Sequence, residues 1–137
     1  MKKYAISDIH GCHQTFKELL NQIGLNREDH LFLLGDYIDR GADSAGVIDT
    51  ILQLKTDGYT VFCLRGNHEQ MMVDASNASA NDGSQAMWLR NGGDITLRSY
   101  YDGKHGGIPD AHLVFFDGLS HFMSTEDYLF VHAGLNF

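Results

Sequence analysis

The sequence is poor in the features that mark secreted, membrane-spanning and low-complexity proteins. It has two cysteines, Cys12 and Cys63, and a single proline among 137 residues. Small secreted scaffolds carry several disulfides, so we predict that both thiols are free and that Cys63 is a core residue of a strand. No apolar run approaches the roughly 20 residues of a membrane span, and Ser7 and Asp8 bring polarity too early for a secretory signal. We therefore expect a cytoplasmic protein without a membrane partner.

Positive charge is also scarce. The sequence has 10 lysines and arginines against 18 aspartates and glutamates, which gives a formal net charge of −8. A surface of this sign repels the phosphates of nucleic acids, so we expect no nucleic-acid partner. This expectation applies to the surface as a whole. Where carboxylates cluster around a bound cation, the local electrostatic potential is positive instead.

The length of the chain suits one compact domain, and strand-like and helix-like patterns alternate three times in its first half. Continuous apolar runs predict strands at Lys3–Asp8, Leu31–Leu34 and Thr60–Leu64. Helical spacing of apolar residues predicts helices at His13–Leu25, at Ser44–Lys55 and from about His68. This alternation implies βαβ units around a parallel inner sheet, and therefore an α/β fold.

The second half of the chain predicts short helices and one hairpin. Helices are expected at Gly83–Arg90 and Ile95–Tyr101, separated by Gly92-Gly93, and at Pro109–Leu119, where the proline suits a first helical turn. The small polar segment Ser76–Ser84 indicates a loop or a frayed helix end. Two strands, His121–Ser124 and Tyr128–His132, flank a turn and predict an antiparallel hairpin.

Candidate ligands follow the first two predicted strands. Asp8 and His10 are alternate residues of an extended segment, so both can point to one target, and their groups suit Mn, Fe or Zn. Asp36 emerges at the rim of the sheet, where a lone carboxylate is costly to desolvate, and Arg40 offers a planar fork for phosphate oxygens. Taken singly, each motif also has an ordinary explanation, namely a capping histidine beside a solvated aspartate and a surface Asp–Arg pair.

The ends of the other two strands carry similar groups. Asn67 offers a neutral oxygen ligand and His68 a general acid, although an asparagine before a helix is also an ordinary N-cap. His132 follows the fourth strand, where a single histidine is usually structural. Because ligands of open α/β sheets bind beyond the carboxyl ends of the strands, the four motifs together predict one metal- or phosphate-binding site.

Two of these strings carry a family resemblance. Gly35–Gly41, of the form Gly-Asp-x-x-Asp-Arg-Gly, and Arg65–Glu69, Arg-Gly-Asn-His-Glu, resemble the signature of the calcineurin-like metallophosphoesterases, specifically the phosphoprotein phosphatase branch. That branch includes bacterial and lambda-phage-type Ser/Thr phosphatases and the symmetrical diadenosine tetraphosphatases. The resemblance implies a β-sandwich flanked by helices. It also implies two divalent metal ions, with Mn²⁺ as the first choice and Fe or Zn as alternatives.

The resemblance implies a role for each candidate residue. The implied metal ligands are Asp8 and His10 for the first ion, Asp36 as the bridge, and Asn67 and His132 for the second ion. The implied catalytic pair is His68, which protonates the leaving group, and Asp39, which orients it. Arg40 and Arg65 are expected to hold the phosphate oxygens.

The family pattern also includes groups that this sequence does not match. Relatives have a later Gly-His motif that supplies a further ligand to the second metal, and usually another phosphate-binding arginine. None of His105, His112 and His121 lies in a matching motif, and the sequence ends at Phe137. We therefore interpret residues 1–137 as the N-terminal portion of a longer, C-terminally truncated catalytic domain, whose sheet leaves an exposed edge.

Three functions are compatible with these motifs. The leading hypothesis is a Ser/Thr-type protein phosphatase that uses a metal-activated bridging water on a phosphoprotein or a small phosphorylated substrate. The alternative enzyme is a symmetrical dinucleoside tetraphosphate hydrolase, because Trp88–Gly93 with Thr96 and Leu97 resembles a stretch found in both bacterial groups. The third is a non-catalytic metal- or phosphate-binding module. The pairing of Asp39 with His68 argues against it, because a binding module needs no acid pair.

Overall fold

Three parallel strands form the inner sheet. The computed structural model describes residues 1–77 and 82–134. Strands β1 (Lys3–Ile6), β2 (His30–Leu33) and β3 (Thr60–Cys63) lie side by side in the order β1-β2-β3, all parallel. Helices α1 (His13–Gln22) and α2 (Ser44–Thr56) connect them, and α3 (Asn67–Asn77) follows β3. The predicted βαβ units and parallel inner sheet are therefore confirmed.

Strand β2 is the centre of the core. Its residues Leu31, Phe32 and Leu33 are buried, and Phe32 pairs with Ala5 of β1 and Phe62 of β3. A parallel strand that is covered on both faces has an apolar side chain at every position, which explains its unbroken apolar run. Cys63 is buried in β3, Cys12 is exposed, and both are free thiols as predicted.

The second half folds into three short helices. They are α4 (Ser84–Trp88), α5 (Asp94–Tyr101) and α6 (Asp110–Asp117), and the chain kinks at Leu89–Gly93 between the first two. Gly92 has a φ of 102°, and a Cβ atom there would lie 2.6 Å from the backbone nitrogen of Arg40. The predicted break at Gly92-Gly93 is therefore confirmed. Glycine is required at position 92, because a residue with a side chain would clash with the Arg40 backbone in this conformation.

The hairpin is also confirmed, and it packs on the inner sheet. Strands β4 (Phe122–Ser124) and β5 (Leu129–Val131) pair antiparallel, with Phe122 opposite Val131. Phe130 stacks on Phe32 of β2 with ring centroids 4.4 Å apart and an interplanar angle of 19°. An aromatic stack therefore joins the two sheets face to face.

Several predicted boundaries differ from the structure by a few residues. Strand β1 stops at Ile6 and not at Asp8, because Asp8 has a left-handed φ of 57° that ends the extended segment. Pro109 precedes α6 and is not part of its first turn. Within Ser76–Ser84, the first two residues end α3 and Ser84 begins α4, whereas the expected loop at 78–81 lies outside the described residues. Among the helices of the described part of the chain, none has the length and apolarity to cross a membrane.

Glu69 of α3 ties the loop after β2 to the loop after β3. Its side chain is fully buried. Oε1 accepts hydrogen bonds from the backbone N–H groups of Asp36 at 2.7 Å and Gly66 at 2.9 Å, and Oε2 accepts from Tyr37 at 3.0 Å. Burial raises the pKa of Glu69 to about 7, although these N–H donors oppose the increase. One carboxylate thus fixes the relative position of the two loops.

We expect Glu69→Gln to lower the free energy of unfolding by about 2–3 kcal/mol, because the amide NH₂ group would face backbone donors that then lack an acceptor. The matched control is Glu18→Gln on the exposed face of α1, for which we expect a change within about 0.5 kcal/mol. Urea unfolding of both variants measures the difference. Equal midpoints for Glu69→Gln and the unsubstituted protein would contradict the role of this carboxylate.

Candidate metal centre

The predicted ligands meet beyond the carboxyl ends of the inner strands. Nε2 of His10 lies 3.9 Å from Oδ1 of Asp8 and 3.5 Å from Oδ2 of Asp36. The same Asp36 oxygen lies 3.3 Å from Nε2 of His132, which follows β5. Asp36 therefore stands between two imidazoles, in the position that a bridging ligand requires, and it is 3 % exposed.

The backbone at this site is unusual. Asp8, His10 and Asp36 have φ angles of 57°, 45° and 57°, all in the left-handed region. Our sequence-based reason for the convergence of Asp8 and His10 is therefore wrong, because they are not alternate residues of an extended strand. A tight left-handed turn brings them together instead. Non-glycine residues in this region carry backbone strain, which is concentrated at functional sites in many proteins.

Hydrogen bonds to carbonyl groups set the orientation of both histidines. Nδ1 of His10 donates to the backbone oxygen of Ile38 at 2.8 Å, and Nδ1 of His132 donates to that of Leu34 at 2.7 Å. Because a carbonyl only accepts, the proton of each neutral ring lies on Nδ1. The Nε2 lone pairs then point into the cluster, as in metal sites whose ligating histidines are held by a backbone carbonyl.

The side-chain oxygen of Asn67 completes a set of converging acceptors. It lies 3.0 Å from Nε2 of His132 and 3.1–3.2 Å from the two carboxylate oxygens of Asp36. Without a cation, the amide would turn so that its NH₂ group donates to these acceptors. With a cation among them, the orientation present in the structure is the favourable one. Carboxylate, imidazole and amide oxygen are ligands of divalent metals, so these residues fit such an ion.

Asp8 supplies a further negative charge. The Ser7 hydroxyl donates a hydrogen bond to its carboxylate, and this lowers the pKa of Asp8, whereas partial burial opposes the change. Asp8, Asp36 and His132 form one group of side chains close enough to share an ion, and His10, Asp36 and His68 form another. Asp36 belongs to both groups, so the described residues contain two adjacent candidate positions with one shared carboxylate.

The predicted acid pair lies directly beside this cluster. Nδ1 of His68 is 2.7 Å from Oδ2 of Asp39, and both side chains are buried. The His68 ring packs edge-on against His10 with centroids 4.6 Å apart. The backbone N–H of His68 donates to Oδ1 of Asp36 at 3.1 Å. The general-acid candidate and the shared carboxylate are therefore held together.

Two residues that sequence reasoning left without a role hold Asp39. Nε1 of Trp88 donates to both Asp39 oxygens at 2.9 and 3.0 Å, and Oγ1 of Thr96 donates to Oδ1 at 2.7 Å. Burial raises the pKa of Asp39, and the hydrogen bonds from Thr96 and His68 oppose this. In the sequence, Trp88–Gly93 and Thr96 belong to a stretch that resembles one found in both bacterial groups. That resemblance did not predict that these side chains contact Asp39.

The two arginines occupy different surroundings. Arg40 is exposed beside Asp39 and has a φ of 72°. The guanidinium of Arg65 donates to Oε1 of Gln70 at 3.0 Å and to the backbone oxygens of Phe116 and Asp117, each at 3.1 Å. It borders a cavity of about 470 Å³ that Asn67, His121 and His132 also line. Arg65 is thus near the cluster but bonded to protein groups, and its phosphate-binding role stays a prediction.

Known proteins resemble this chain in sequence along most of its length. The family described as calcineurin-like phosphoesterase matches residues 1–136. The symmetrical bis(5'-nucleosyl)-tetraphosphatase of Nitrosomonas europaea is 33% identical over 139 residues, which cover 98% of this chain and 45% of that protein. Serine/threonine-protein phosphatase 1 of Salmonella typhimurium is 38% identical over 96 residues, which cover 69% and 40%. The chain spans less than half the length of these two relatives.

Solved structures show the same fold. A putative diadenosine tetraphosphatase superposes with a TM-score of 0.66 at 22% identity, covering 97% of this chain and 50% of the other. A cold-active protein tyrosine phosphatase superposes with a TM-score of 0.62 at 23% identity, covering 98% and 41%. The predicted α/β fold class is confirmed.

We expect Asp36→Asn to weaken Mn²⁺ binding on the order of 100-fold, because it removes the charge that both candidate positions share. Loss of a supporting residue alone costs about 10–100-fold in metal affinity. Asp57→Asn, at an exposed position after α2, is the matched control and should bind as the unsubstituted chain does. Isothermal titration calorimetry gives both affinities, and circular dichroism checks folding. Unchanged affinity in Asp36→Asn would exclude this cluster as the main Mn²⁺ site.

Proposed function

The chain belongs to the calcineurin-like phosphoesterase family, and we propose from this membership that it hydrolyses phosphate esters with two divalent metal ions. The observation that carries the proposal is the buried His68–Asp39 pair, which lies beside the carboxylate shared by two candidate metal positions. A binding module needs the ligands but has no use for a buried acid pair. Phosphoester cleavage needs both, because an alkoxide leaves poorly without a proton.

The proposed ligands supply five side chains to two ions. Asp8 and His10 would hold the first, Asn67 and His132 the second, and Asp36 both. This division follows the family resemblance and reserves His68, which lies within reach of His10 and Asp36, for the proton. When bound, two ions of this kind supply an activated water and neutralise charge on the phosphate. Mixed oxygen and imidazole ligands suit Mn²⁺, which is our first choice, and Fe or Zn are the alternatives.

The protein's own groups handle the proton and the phosphate oxygens. Because Asp39 engages Nδ1 of His68, the proton for the leaving oxygen comes from Nε2. The Asp39 carboxylate also stabilises the positive charge of the ring before that transfer, as the buried aspartate of a catalytic triad does. Arg40 lies at the surface beside this pair, where its planar fork can hold phosphate oxygens. Arg65 can also contact the phosphate if its guanidinium gives up a hydrogen bond to a backbone carbonyl and donates to a phosphate oxygen instead.

We propose a phosphoserine or phosphothreonine protein as the substrate. The Salmonella typhimurium relative, a serine/threonine-protein phosphatase by name, supports this choice, and so does the general acid, which a poor alkoxide leaving group requires. The second candidate is a symmetrical dinucleoside tetraphosphate. The Nitrosomonas europaea relative supports it, because that alignment extends over 98% of this chain. Under either alternative, we propose that residues 1–137 correspond to part of the relatives' catalytic domain, since they span 45% and 40% of these two proteins.

We expect His68→Asn to reduce kcat about 10²–10⁴-fold, the usual contribution of a general acid. Mn²⁺ affinity should stay within about threefold, because in our assignment His68 is not a metal ligand. His30→Asn, which lies on β2 at the opposite end of the strand from the site, should leave kcat unchanged. Retained turnover in His68→Asn, or an equal loss in both variants, would contradict the assigned role.

Product analysis separates the substrates. We expect the chain with Mn²⁺ to release inorganic phosphate from a phosphoserine peptide. Nucleoside diphosphate from diadenosine tetraphosphate, without phosphate from the peptide, would support the second candidate. Neither product, in a chain that calorimetry shows to be loaded with Mn²⁺, would contradict catalysis by these residues alone.

A further inference from the structure

A second cluster of metal-competent side chains lies away from the candidate metal centre. Asp49 of α2, His105 of the α5–α6 loop and His112 of α6 converge on one point. Nε2 of His105 and Nε2 of His112 each lie 3.0 Å from Oδ1 of Asp49. The two rings lie 5.1 Å apart between centroids. None of these residues belongs to the phosphoesterase motifs.

We propose that Asp49, His105 and His112 bind a Zn²⁺-like transition-metal ion. Two imidazoles and one carboxylate are a common three-ligand set for Zn²⁺ and Fe²⁺, and they leave a coordination position open. The proposal does not depend on the phosphoesterase activity, because the two clusters share no residue.

The distances require only a small adjustment. Ligand atoms at about 2.0–2.1 Å from a tetrahedral metal lie roughly 3.3 Å from one another. The two nitrogen–oxygen distances of 3.0 Å to Oδ1 of Asp49 must therefore lengthen by a few tenths of an ångström. The side chains of Asp49 and His105 are 25% and 21% exposed, so they have the freedom to move apart.

A buried hydroxyl fixes the ring of His112. The hydroxyl of Tyr100 lies 2.8 Å from Nδ1 of His112, and Tyr100 is fully buried. When the tyrosine oxygen accepts a hydrogen bond from the Nδ1–H group, the lone pair of Nε2 faces Asp49, as in metal sites with a supporting hydrogen bond.

The competing arrangement is a metal-free network in which both histidines and Lys104 donate to Asp49. Nζ of Lys104 lies 3.4 Å from Oδ2 of Asp49, but its side chain is 74% exposed. A solvent-screened pair of this kind contributes little, so an ion can displace the lysine.

The open coordination position has room for a further ligand. Asp49 and His105 border a cavity of about 590 Å³. His13 lies on the same wall, where its Nδ1 is 2.9 Å from Asp43 and its Nε2 is 2.7 Å from Thr50. These contacts hold His13 in the protein's own network, so we assign the open position to water.

Zinc stoichiometry tests the site in the full chain. After equilibrium dialysis against Zn²⁺ and metal analysis, we expect His105→Gln to retain one ion fewer than the unsubstituted chain. Asp57→Asn should retain the full number. Asp36→Asn should lose ions at the phosphoesterase cluster but keep the ion that depends on His105. Equal zinc content in His105→Gln and the unsubstituted chain would overturn the proposal.

A spectroscopic variant guards against a folding defect in His105→Gln. Cysteine is itself a zinc and cobalt ligand, so we expect His105→Cys, made in a Cys12→Ser background, to show a near-ultraviolet sulfur-to-cobalt band with Co²⁺. The Cys12→Ser protein is the control and should lack that band, since Cys63 is buried. Lys104→Ala should tighten zinc binding because it removes the competing cation. An absent sulfur–cobalt band together with unchanged zinc content would leave the metal-free network as the correct description.

Discussion

The buried carboxylate of Glu69 holds the site together. It accepts backbone hydrogen bonds from both the loop after β2 and the loop after β3, and so it fixes Asp36 relative to Asn67 and His68. A buried carboxylate is stable only while these donors surround it. The left-handed turn at Asp36 and the close approach of neighbouring acceptors are both unfavourable in isolation, and this clamp keeps them in place.

The ligands and the acid pair come from different parts of the fold. Strand ends of the inner sheet and the hairpin present Asp8, Asp36 and His132. Helices α4 and α5 instead contact Asp39 through Trp88 and Thr96. Gly92 makes this possible, because its backbone lies against that of Arg40 without a side chain between them. The helical layer therefore sets the orientation of the proposed general acid, and the sheets set the positions of the candidate metal ligands.

Local pattern was sufficient for most of the fold. Sequence patterns identified each described strand and helix, with errors confined to a few boundary residues. They did so because the buried face of a helix or strand requires apolar residues at that element's own period. The end of β1 was missed since the left-handed turn at Asp8 depends on contacts with the next strand's loop, such as the hydrogen bond from its N–H to Gly35. For the same reason, the prediction that Asp8 and His10 converge was right, but the extended backbone from which it was argued is not present.

Residue order alone is enough to predict the fold class, the family and the chemical groups available at each strand end, because each of these is a property of short stretches of sequence. Which of these groups come into contact depends on how the chain packs in three dimensions. This packing placed Asp36 between two imidazoles, turned Arg65 toward Gln70 and the end of α6, and gathered Asp49, His105 and His112 from separate elements. Most of these contacts join residues that lie tens of positions apart in the chain, and no local period or motif encodes them.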